Sequence, residues 1–584
     1  MSNRWGEPLG WLESYATSHH EWHEAVHLGS TIFYRRIGIV EGLFNTDGID
    51  CEGRADMTTD LQVEIRTSLS LEKLRDRIVQ AWAVMRHRHI LLSSRICQGK
   101  EISPNDLAAK INSQDWLYVY TPSTSLAALV ADARRHTVFV QDQYPQAQND
   151  EFFVHLLNCS RCINPFDSLS RLYVMPLVRT REGTYNIHFM FIAGHEIVDG
   201  LTSMRWMASF IDILNQSVAR LELDAKELCT SSPQPRLPPA QESLYPSMGK
   251  SQARQRWSWA ISRILRHVKR PGPAAFQNPL RRAMPLSKGQ RLEPKFSLVI
   301  DYSRIPPLNT YAVRPTLSMA ASQRLAKLCR DVRISVGSGC FALVALVMMQ
   351  FEERRNPDIP AHERLPFVGS FPVNPRPFLS GTPTTGKEDN LMLAFSEGIA
   401  LPFLSSDLSL EGRLRLLGKQ AHRRLRQYQK RPQKAGDHVE LGSRSPSQLL
   451  PMMYLTTMER LENKSTHSRR RGWNIQGQYP ASLPPTLATC GVSSVGPRGS
   501  IIASGKYNTK NLSDGKDIGV DFRGLDTTVR ARDGEFLIGA VGDNGQLKFG
   551  VSYDGCAIDP TLANEWKVVM ETILELDQKP VARL

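Results

Sequence analysis

The spacing of apolar residues predicts a long helix in the first hundred residues. Apolar side chains recur three or four positions apart from Leu71 to Met85, and the hydroxyl of Ser70 can cap the first turn. This spacing aligns the apolar side chains on one face of a helix, and the chain then runs into the basic segment RHRHILLSSRI, residues 86–96. We therefore expect an amphipathic helix whose apolar face is buried.

A change of period near residue 194 predicts a strand followed directly by a helix. Residues 184–193, TYNIHFMFIA, are aromatic-rich and bounded by Gly183 and Gly194, which is typical of a strand. After Gly200 the apolar residues follow helical spacing: Leu201, Met204, Met207, Ile211 and Leu214. The segment GHEIVDG, residues 194–200, is therefore expected to form the turn between strand and helix.

The carboxyl-terminal half again alternates strands with helices. KFSLVIDY, residues 295–302, is a strand candidate, and helices are predicted on both sides of RISVGSG, residues 333–339. A strong amphipathic helix is expected over 410–428, a hairpin over 535–555 with its turn at Asn544-Gly545, and a final helix over 561–576.

The alternation in both halves predicts an α/β protein of more than one domain. We expect an amino-terminal lobe over residues 1–225 and a carboxyl-terminal lobe over residues 291–584. Proline and arginine dominate residues 226–290, which predicts a basic linker or insert containing one basic helix.

Composition limits the classes of function. The 584 residues are 41% hydrophobic, which is typical of a globular protein, and they carry a net charge of +14. A basic surface favours a polyanionic partner, namely nucleic acid, anionic lipid or a phosphate-bearing cofactor, and composition alone does not choose among them. Nine scattered cysteines favour a reducing compartment, and the Cys159–Cys162 C-x-x-C is interpreted as two unrelated thiols. The longest apolar run, which begins at Cys340, is 12 residues and too short to span a bilayer.

The chain ends suggest where the protein is found. The first ten residues lack the apolar core of a signal peptide, so we expect a cytoplasmic protein. The last three residues, Ala582, Arg583 and Leu584, are close to the peroxisomal S-K-L address, which makes a peroxisomal location the alternative.

His195, Asp199 and Gly200 stand in the order H-x-x-x-D-G on the predicted strand-to-helix turn. An imidazole with a pKa near 6.5 can accept a proton from a hydroxyl group at neutral pH, and glycine allows close approach of backbone or substrate. The alternative is a structural histidine of the core beside an aspartate that caps the helix. Spacing alone does not decide between the two.

A second histidine motif competes with the first. HEAVH, residues 23–27, matches the H-E-x-x-H pattern of zinc proteases. That site needs both histidines on one regular helix and a third ligand, whereas Gly29 follows closely and no H-x-x-G-x-x-H extension is present. We expect a partly exposed, histidine-rich helix start and no catalytic metal.

Four blocks in the same order resemble the chloramphenicol acetyltransferase-like superfamily, which includes BAHD acyltransferases, condensation domains of peptide synthetases and fungal acetyltransferases. GHEIVDG resembles its H-x-x-x-D-G motif, and residues 86–96 resemble its R-H-P-x-L-R stretch. GSFPVNPRPFL, residues 369–379, resembles its V-N-x-R segment with Arg376 in place, and CGVSSVGPRGS, residues 490–500, resembles its S-N-x-G strand with Ser494 at the asparagine position.

Two motifs of this sequence differ from those of particular subfamilies, and these differences limit which subfamilies it resembles. Gly194 stands where condensation domains have a first histidine, which argues against peptide-bond formation on carrier proteins. DFRGL, which begins at Asp521, lacks the tryptophan of the BAHD D-F-G-W-G motif. The pattern is most similar to fungal trichothecene 15-O-acetyltransferase-like enzymes.

The resemblance implies two similar α/β lobes, each an open sheet with flanking helices, with an active-site tunnel between them. His195 would be the general base in the tunnel, and Asp199 would form a structural ion pair with Arg376 rather than face His195. Gly200 would start the helix without crowding the loop. Ser494 or a nearby backbone N–H is the candidate donor to the oxyanion.

The reaction implied is O-acylation of a small hydroxylated acceptor, such as a terpenoid or polyketide, by acyl-CoA, with acetyl-CoA the default donor. CoA would be a co-substrate, with no permanently bound cofactor and no metal. We expect a monomer. The arginine face of residues 413–431 and SRRR, residues 468–471, are candidates for steering the CoA phosphates, and solvated charged faces are the alternative for both.

Other functions remain as alternatives. A carrier-protein-dependent acyltransferase or condensation-like enzyme of the same fold is the main enzymatic alternative. A catalytically inactive relative would use the tunnel only for binding, but the intact His195 and Asp199 argue against it. A nucleic-acid binder is disfavoured, because the basic residues fall in three separate segments and aromatic interleaving is limited to Trp257 and Trp259.

Overall fold

The computed structural model describes most of the chain. It covers residues 14–102, 111–248, 251–268, 274–380, 386–428, 446–470, 472–473, 475, 488–512 and 515–575. These residues form twelve α-helices, α1 to α12: Ile39–Asp50, Leu71–Arg88, Leu126–Arg135, Asn149–Leu157, Gly200–Leu214, Val218–Thr230, Gln252–Val268, Met319–Asp331, Val336–Arg355, Leu410–Leu425, Pro446–Lys464 and Pro560–Thr572.

The same residues form eighteen strands, β1 to β18: His23–His27, Ser30–Arg36, Met57–Thr67, Arg95–Gln98, Trp116–Tyr120, Thr137–Phe139, Ser170–Val174, Val178–Arg179, Tyr185–Ala193, Thr310–Val313, Phe367–Ser370, Pro372–Val373, Ala394–Phe395, Ile399–Leu401, Cys490–Pro497, Ile518–Val529, Phe536–Asp543 and Gln546–Asp554. The mixed α/β class predicted from the sequence is confirmed.

The sheet of the amino-terminal lobe holds the strand that leads to His195. Its order is β16-β3-β9-β7-β6, and β8 also pairs with β9. β3 and β9 are antiparallel with Met57 opposite Ala193, and alternate residues of β3 point into the core. Helix α2 covers this sheet with the apolar face that the sequence predicts, and the Ser70 hydroxyl accepts a hydrogen bond from the backbone N–H of Lys73.

The carboxyl-terminal lobe is built on a second sheet, with the order β10-β18-β17-β15-β11-β14. Helices α8, α9, α10 and α12 pack with it into one apolar core. The two helices beside residues 333–339 form as predicted, and Asn544-Gly545 turns the β17–β18 hairpin with positive φ at both residues. The two-lobed architecture predicted from the sequence is therefore present.

Two smaller sheets complete the described part of the chain. One has the order β1-β2-β5-β4, and the other pairs β12 with β13. Along the chain, two segments that contact the site lie between the strands of the second sheet: residues 374–376 directly after β12, and residues 386–392 before β13.

The expected strand at residues 295–302 is wrong, because this segment forms consecutive turns. The backbone N–H groups of Val299 and Ile300 both bond to the carbonyl of Phe296, as in a single helical turn. Phe296 and Ile300 are thereby buried together against α4, with the ring centroids of Phe296 and Phe152 5.0 Å apart. Apolar residues at this spacing suit a turn on a core as well as a strand.

One strand crosses the expected division of the chain. β16 comes from the range 291–584 but pairs along its whole length with β3 of the amino-terminal sheet. The apolar residues of β16 lie in the same core as β3, β9 and α2. The expected ranges 1–225, 226–290 and 291–584 stay a prediction, and helix α7 lies within the middle range.

One described helix, α9, is long and apolar enough to cross a bilayer. Its most apolar 18-residue window is 78% buried within the protein, and its side chains fill the carboxyl-terminal core. This burial is that of a core helix, so α9 is weak evidence for a membrane span.

Candidate active site

His195 lies in the turn between β9 and α5. β9 ends at Ala193 because the next residue leaves the ladder, and the N–H of Gly194 bonds instead to the carbonyl of Leu169 at 3.1 Å. α5 begins at Gly200 because Asp199 caps it, with Oδ1 accepting from the N–H groups of Leu201 and Thr202, each at 3.0 Å. The turn therefore has a fixed start and a fixed end.

The imidazole of His195 is held by packing. The Phe44 ring of α1 stacks on it with centroids 4.0 Å apart and planes inclined by 24°. The guanidinium of Arg532 lies over the Phe44 ring at 4.9 Å. Nδ1 of His195 is buried and has no hydrogen-bond partner within the described residues, whereas the residue as a whole is only half-buried. Nε2 is therefore the nitrogen that can reach a substrate.

The surroundings of His195 favour the neutral ring. Burial first, and then the positive charge of Arg532, lower the pKa of His195 from 6.5 to about 4, although Asp199 and the backbone oppose the shift. At pH 7 the ring is therefore unprotonated and able to accept a proton.

Asp199 turns away from His195 and meets Arg376. Nη2 of Arg376 donates to Oδ2 of Asp199 at 2.7 Å, and both side chains are more than nine-tenths buried. The N–H of Met392 donates to the same oxygen at 3.0 Å. Within the described residues no hydrogen bond joins Asp199 to His195. The structure thus brings together the two residues that the sequence analysis expected to pair.

Arg376 is saturated by further acceptors. Nη2 also donates to Oγ1 of Thr202 and to the carbonyl of Asn390, each at 2.8 Å, and Nε donates to the carbonyl of Lys387 at 2.9 Å. Oδ1 of Asn374 accepts a hydrogen bond from the backbone N–H of Arg376. Residues of both lobes meet at this guanidinium, so it fixes the His195 turn relative to the carboxyl-terminal lobe.

A second buried charged group supports the turn from behind. Arg161 donates from Nε and Nη2 to both oxygens of Asp56, at 2.7 and 2.8 Å, and Nη2 lies 3.4 Å from Oε1 of Glu196. Burial raises the pKa of Glu196, and Arg161 opposes the shift. The carbonyl of Glu196 accepts a hydrogen bond from the hydroxyl of Tyr118 at 3.0 Å. The residue after His195 is thus anchored at both backbone and side chain.

The two glycines of the motif differ in their surroundings. A Cβ at Gly194 would collide with the carboxylate of Glu196, so a larger residue there would have to displace this buried side chain. A Cβ at Gly200 would meet no atom of the described residues within 4 Å. Among these residues, Gly200 therefore borders open space at the start of α5.

Ser494 lies on β15, opposite Ala540 of β17, where its side chain is exposed. Its hydroxyl oxygen faces Gly337 in the first turn of α9, 3.0 Å from where a Cβ at that glycine would lie. No hydrogen bond of the described residues joins Ser494 to the His195 turn, so its role as oxyanion donor stays a proposal.

HEAVH is strand β1, so the expected helix start is wrong. Its five residues pair with β2 from His23 opposite Tyr34 to His27 opposite Ser30. A strand rises about 3.3 Å per residue, which puts the two histidines roughly 13 Å apart and beyond one zinc ion. Among the residues that the structure describes, no group of three or more His, Cys, Asp or Glu side chains could hold a metal ion.

The thiols of Cys159 and Cys162 are neighbours, which corrects their interpretation as unrelated. Their Sγ atoms lie 3.4 Å apart, and Nη2 of Arg530 lies 3.5 and 3.6 Å from them. Both cysteines are free and buried. The loop between them carries Arg161, so it belongs to the support of the His195 turn.

The basic segments proposed for CoA phosphates are only partly open. In α10 the side chain of Arg413 is buried, while Arg415, Lys419 and Arg423 are exposed. Arg469 pairs with Asp50 at 2.8 Å. Residues 429–431 and 471, and the carboxyl-terminal tripeptide 582–584, lie outside the described residues. The exposed face of α10 is the stronger remaining candidate.

Several residues of the site carry no signal in the sequence. Phe44, Arg532 and Arg161 are distant from residues 194–200 along the chain and belong to no recognised motif. The fold brings them to the His195 turn: Phe44 stacks on His195, Arg532 lies over Phe44, and Arg161 contacts Glu196. Pairing information between distant segments could have found them.

The chain has the chloramphenicol acetyltransferase-like fold of two α/β lobes. An ion pair between the His195 turn of one lobe and the VNPR segment of the other joins these lobes. Among solved structures, TRI3 trichothecene 15-O-acetyltransferase from Fusarium sporotrichioides is similar with a TM-score of 0.61 and 13% identity, covering 95% of this chain and 98% of that one.

Two further similar structures come from larger synthases. AB3403, a four-domain nonribosomal peptide synthetase, has a TM-score of 0.49 and 12% identity over 93% of this chain and 33% of that chain. The condensation domain of the Monacolin K polyketide synthase MokA has a TM-score of 0.46 and 8% identity over 94% and 97%. No protein-family model and no curated protein sequence matches the chain. The fold is therefore assigned from the structural likeness to the acetyltransferase.

Proposed function

We propose that this protein is an acyl-CoA-dependent O-acyltransferase that acylates a hydroxyl group of a small secondary metabolite. The observation that carries the proposal is the placement of His195, stacked on Phe44 and half-buried on a turn that Asp199 and Arg376 hold fixed. Burial lowers the pKa of this imidazole, which favours its neutral form. A fixed and unprotonated imidazole with one accessible nitrogen is suited to general-base catalysis.

The chemistry needs no group beyond the two substrates and the protein. Nε2 of His195 takes the proton of the acceptor hydroxyl while the hydroxyl oxygen forms a bond to the thioester carbonyl carbon. The oxyanion so formed accepts a hydrogen bond from Ser494 or a backbone N–H. The C–S bond then breaks, and CoA leaves as a thiolate whose conjugate thiol has a pKa near 8.5. The thiolate takes the proton from Nε2 of His195, which regenerates the neutral base and gives free CoA.

The substrate class is taken from the fold neighbour. The Fusarium enzyme is a trichothecene 15-O-acetyltransferase, which supports an acetyl donor and a hydroxylated terpenoid-like or polyketide-like acceptor for this chain. Exposed Arg415, Lys419 and Arg423 on α10 are the groups we propose for attracting the CoA phosphates. We propose a cytoplasmic monomer that binds CoA only as a co-substrate.

The proposal is tested by supplying donors separately. Purified protein is incubated with hydroxylated terpenoids and either acetyl-CoA or an acetylated carrier protein, and free thiol and acylated product are measured. Acceptor-dependent release of CoA supports the proposal. Consumption of the carrier-bound acyl group alone would assign the carrier-dependent alternative, and binding of acetyl-CoA without turnover would assign a non-catalytic relative.

A further inference from the structure

Helix α7 presents its apolar face to solvent. In most amphipathic helices of globular proteins that face is buried. Here the exposed fractions are 69% for Trp257, 55% for Ile264 and 63% for Val268. At 100° per residue these three side chains lie on one stripe with Ala253, Ala260 and Ile261, of which the two alanines are also exposed.

The opposite side of α7 is seated on the protein. Trp259 is 5% exposed and packs against Tyr15 and against Tyr454 of α11, with ring centroids 5.0 and 5.8 Å away. The hydroxyl of Ser258 bonds to the carbonyl of Met248 at 3.2 Å. These contacts orient α7 so that the stripe through Trp257 points outward.

The charge around this stripe is of one sign. Residues 243–292 contain eleven Lys and Arg and no Asp or Glu, which accounts for most of the net charge of +14. On the helix, exposed Arg254 borders one side of the stripe and exposed Arg256 borders the other. An apolar stripe that contains a tryptophan and is flanked by arginines is the pattern of helices that lie in a membrane interface.

We propose that α7 binds the surface of an anionic lipid bilayer, with the stripe of Trp257, Ile264 and Val268 among the acyl chains and the arginines at the headgroups. Helix α7 is 17 residues, about 25 Å, and can lie flat in the interface without spanning it. A second copy of the chain fits this face less well, because pairing two such stripes would bring the flanking arginines, which carry like charge, together. The proposal does not depend on acyl transfer.

Vesicle sedimentation of the full chain tests the proposal. The wild type is expected to sediment with phosphatidylcholine vesicles containing about 30% phosphatidylserine, at least about tenfold more strongly than with phosphatidylcholine alone. Ile264→Glu should weaken this binding about tenfold or more, because a carboxylate replaces buried apolar surface and repels anionic lipid. Arg254→Gln with Arg256→Gln should weaken it while leaving the apolar stripe intact.

A matched control distinguishes an effect specific to the α7 stripe from the effect of adding a carboxylate to any exposed helix position. Val568→Glu makes the same kind of change on α12, at a helical position that is 55% exposed, and should bind vesicles as the wild type does. Absence of vesicle binding by the wild type would overturn the proposal, as would equal binding by Ile264→Glu. A solution dimer that Ile264→Glu converts to a monomer would also overturn it and assign the stripe to a second copy.

Discussion

At the scale of single residues, the site separates two tasks between neighbouring side chains. His195 has one nitrogen left accessible and takes its position from the stacked ring of Phe44. Asp199 lies four residues later, and both of its carboxylate oxygens accept hydrogen bonds. Oδ1 caps helix α5, and Oδ2 accepts from Arg376 and from the N–H of Met392. In the proposed mechanism, catalysis and positioning therefore belong to different residues, and variants should affect them separately.

Replacing His195 should remove activity and leave the fold intact. His195→Ala is expected to lower kcat/KM by about 10²–10⁴-fold, because proton abstraction from the acceptor is lost. The thermal midpoint should stay close to that of the wild type. His188→Ala on the same strand is the control: His188 pairs with Asp60 at 2.9 Å outside the turn, so that variant should keep its turnover. Near wild-type turnover of His195→Ala would contradict the assignment of the base.

The pH dependence should report the lowered pKa of His195. The base is active when neutral, so kcat/KM should stay level from pH 7 to about 5 and fall below the pKa of about 4. Arg532→Gln removes the positive charge beside Phe44 and should move this acidic limb to higher pH. The profile is measured only where circular dichroism shows folded protein, and an unchanged limb in Arg532→Gln would contradict the role given to that charge.

Removing the charge of Asp199 should cost stability as well as activity. Asp199→Asn can still accept hydrogen bonds at the helix cap but leaves the buried Arg376 with only the longer ion pair to Glu388, at 3.6 Å. We expect a loss of about 3–5 kcal/mol in the free energy of unfolding, measured by chemical denaturation. Asp199→Asn with Arg376→Gln should lose less than the sum of the single variants, whereas additive losses would show that the pair is not coupled.

At the scale of elements, local patterns decided what the sequence could predict. The hairpin at Asn544-Gly545 and helix α9 were predictable because their signals lie within the segments themselves. KFSLVIDY and HEAVH were misinterpreted because short segments of five to eight residues satisfy both strand and helical spacing. In each case the neighbouring element determined the secondary structure. KFSLVIDY packs on the core beside α4, and HEAVH pairs with β2.

The strand geometry of β1 bears on metal content. Because His23 and His27 are roughly 13 Å apart along a strand, they cannot share a tetrahedral zinc ion. We expect substoichiometric zinc in dialysed protein by elemental analysis, and unchanged turnover after chelation. One zinc per chain together with loss of activity on chelation would contradict this expectation.

At the scale of the whole molecule, residues far apart in the chain complete each other's structure. The pairing of Asp199 with Arg376 was expected only through the resemblance of VNPR to a family motif, since nothing local to either residue names its partner. Phe44, Arg161 and Arg532 were not expected at all. Their places depend on which strands become neighbours, and a single sequence does not contain that information directly.

The amino-terminal lobe should not fold alone, because β16 forms an edge of its sheet. A fragment of residues 1–225 is expected to be insoluble or to lack a cooperative thermal transition. Co-expression with residues 226–584 should restore soluble, folded protein, since that fragment carries β16. A stable and cooperatively folded 1–225 fragment would contradict this dependence.

The position of β16 in the sequence also determines how late during translation the amino-terminal sheet can be completed. Residue 518 leaves the ribosome 325 residues after β9 ends at residue 193, which at 5–20 residues per second is a delay of about 15–65 s. Throughout that interval the edge of β3 lacks the neighbour with which it pairs over residues 57–67. An open edge of this length invites pairing with other nascent chains. The yield of native protein should therefore depend on chaperones that cover β3 until residue 529 has emerged.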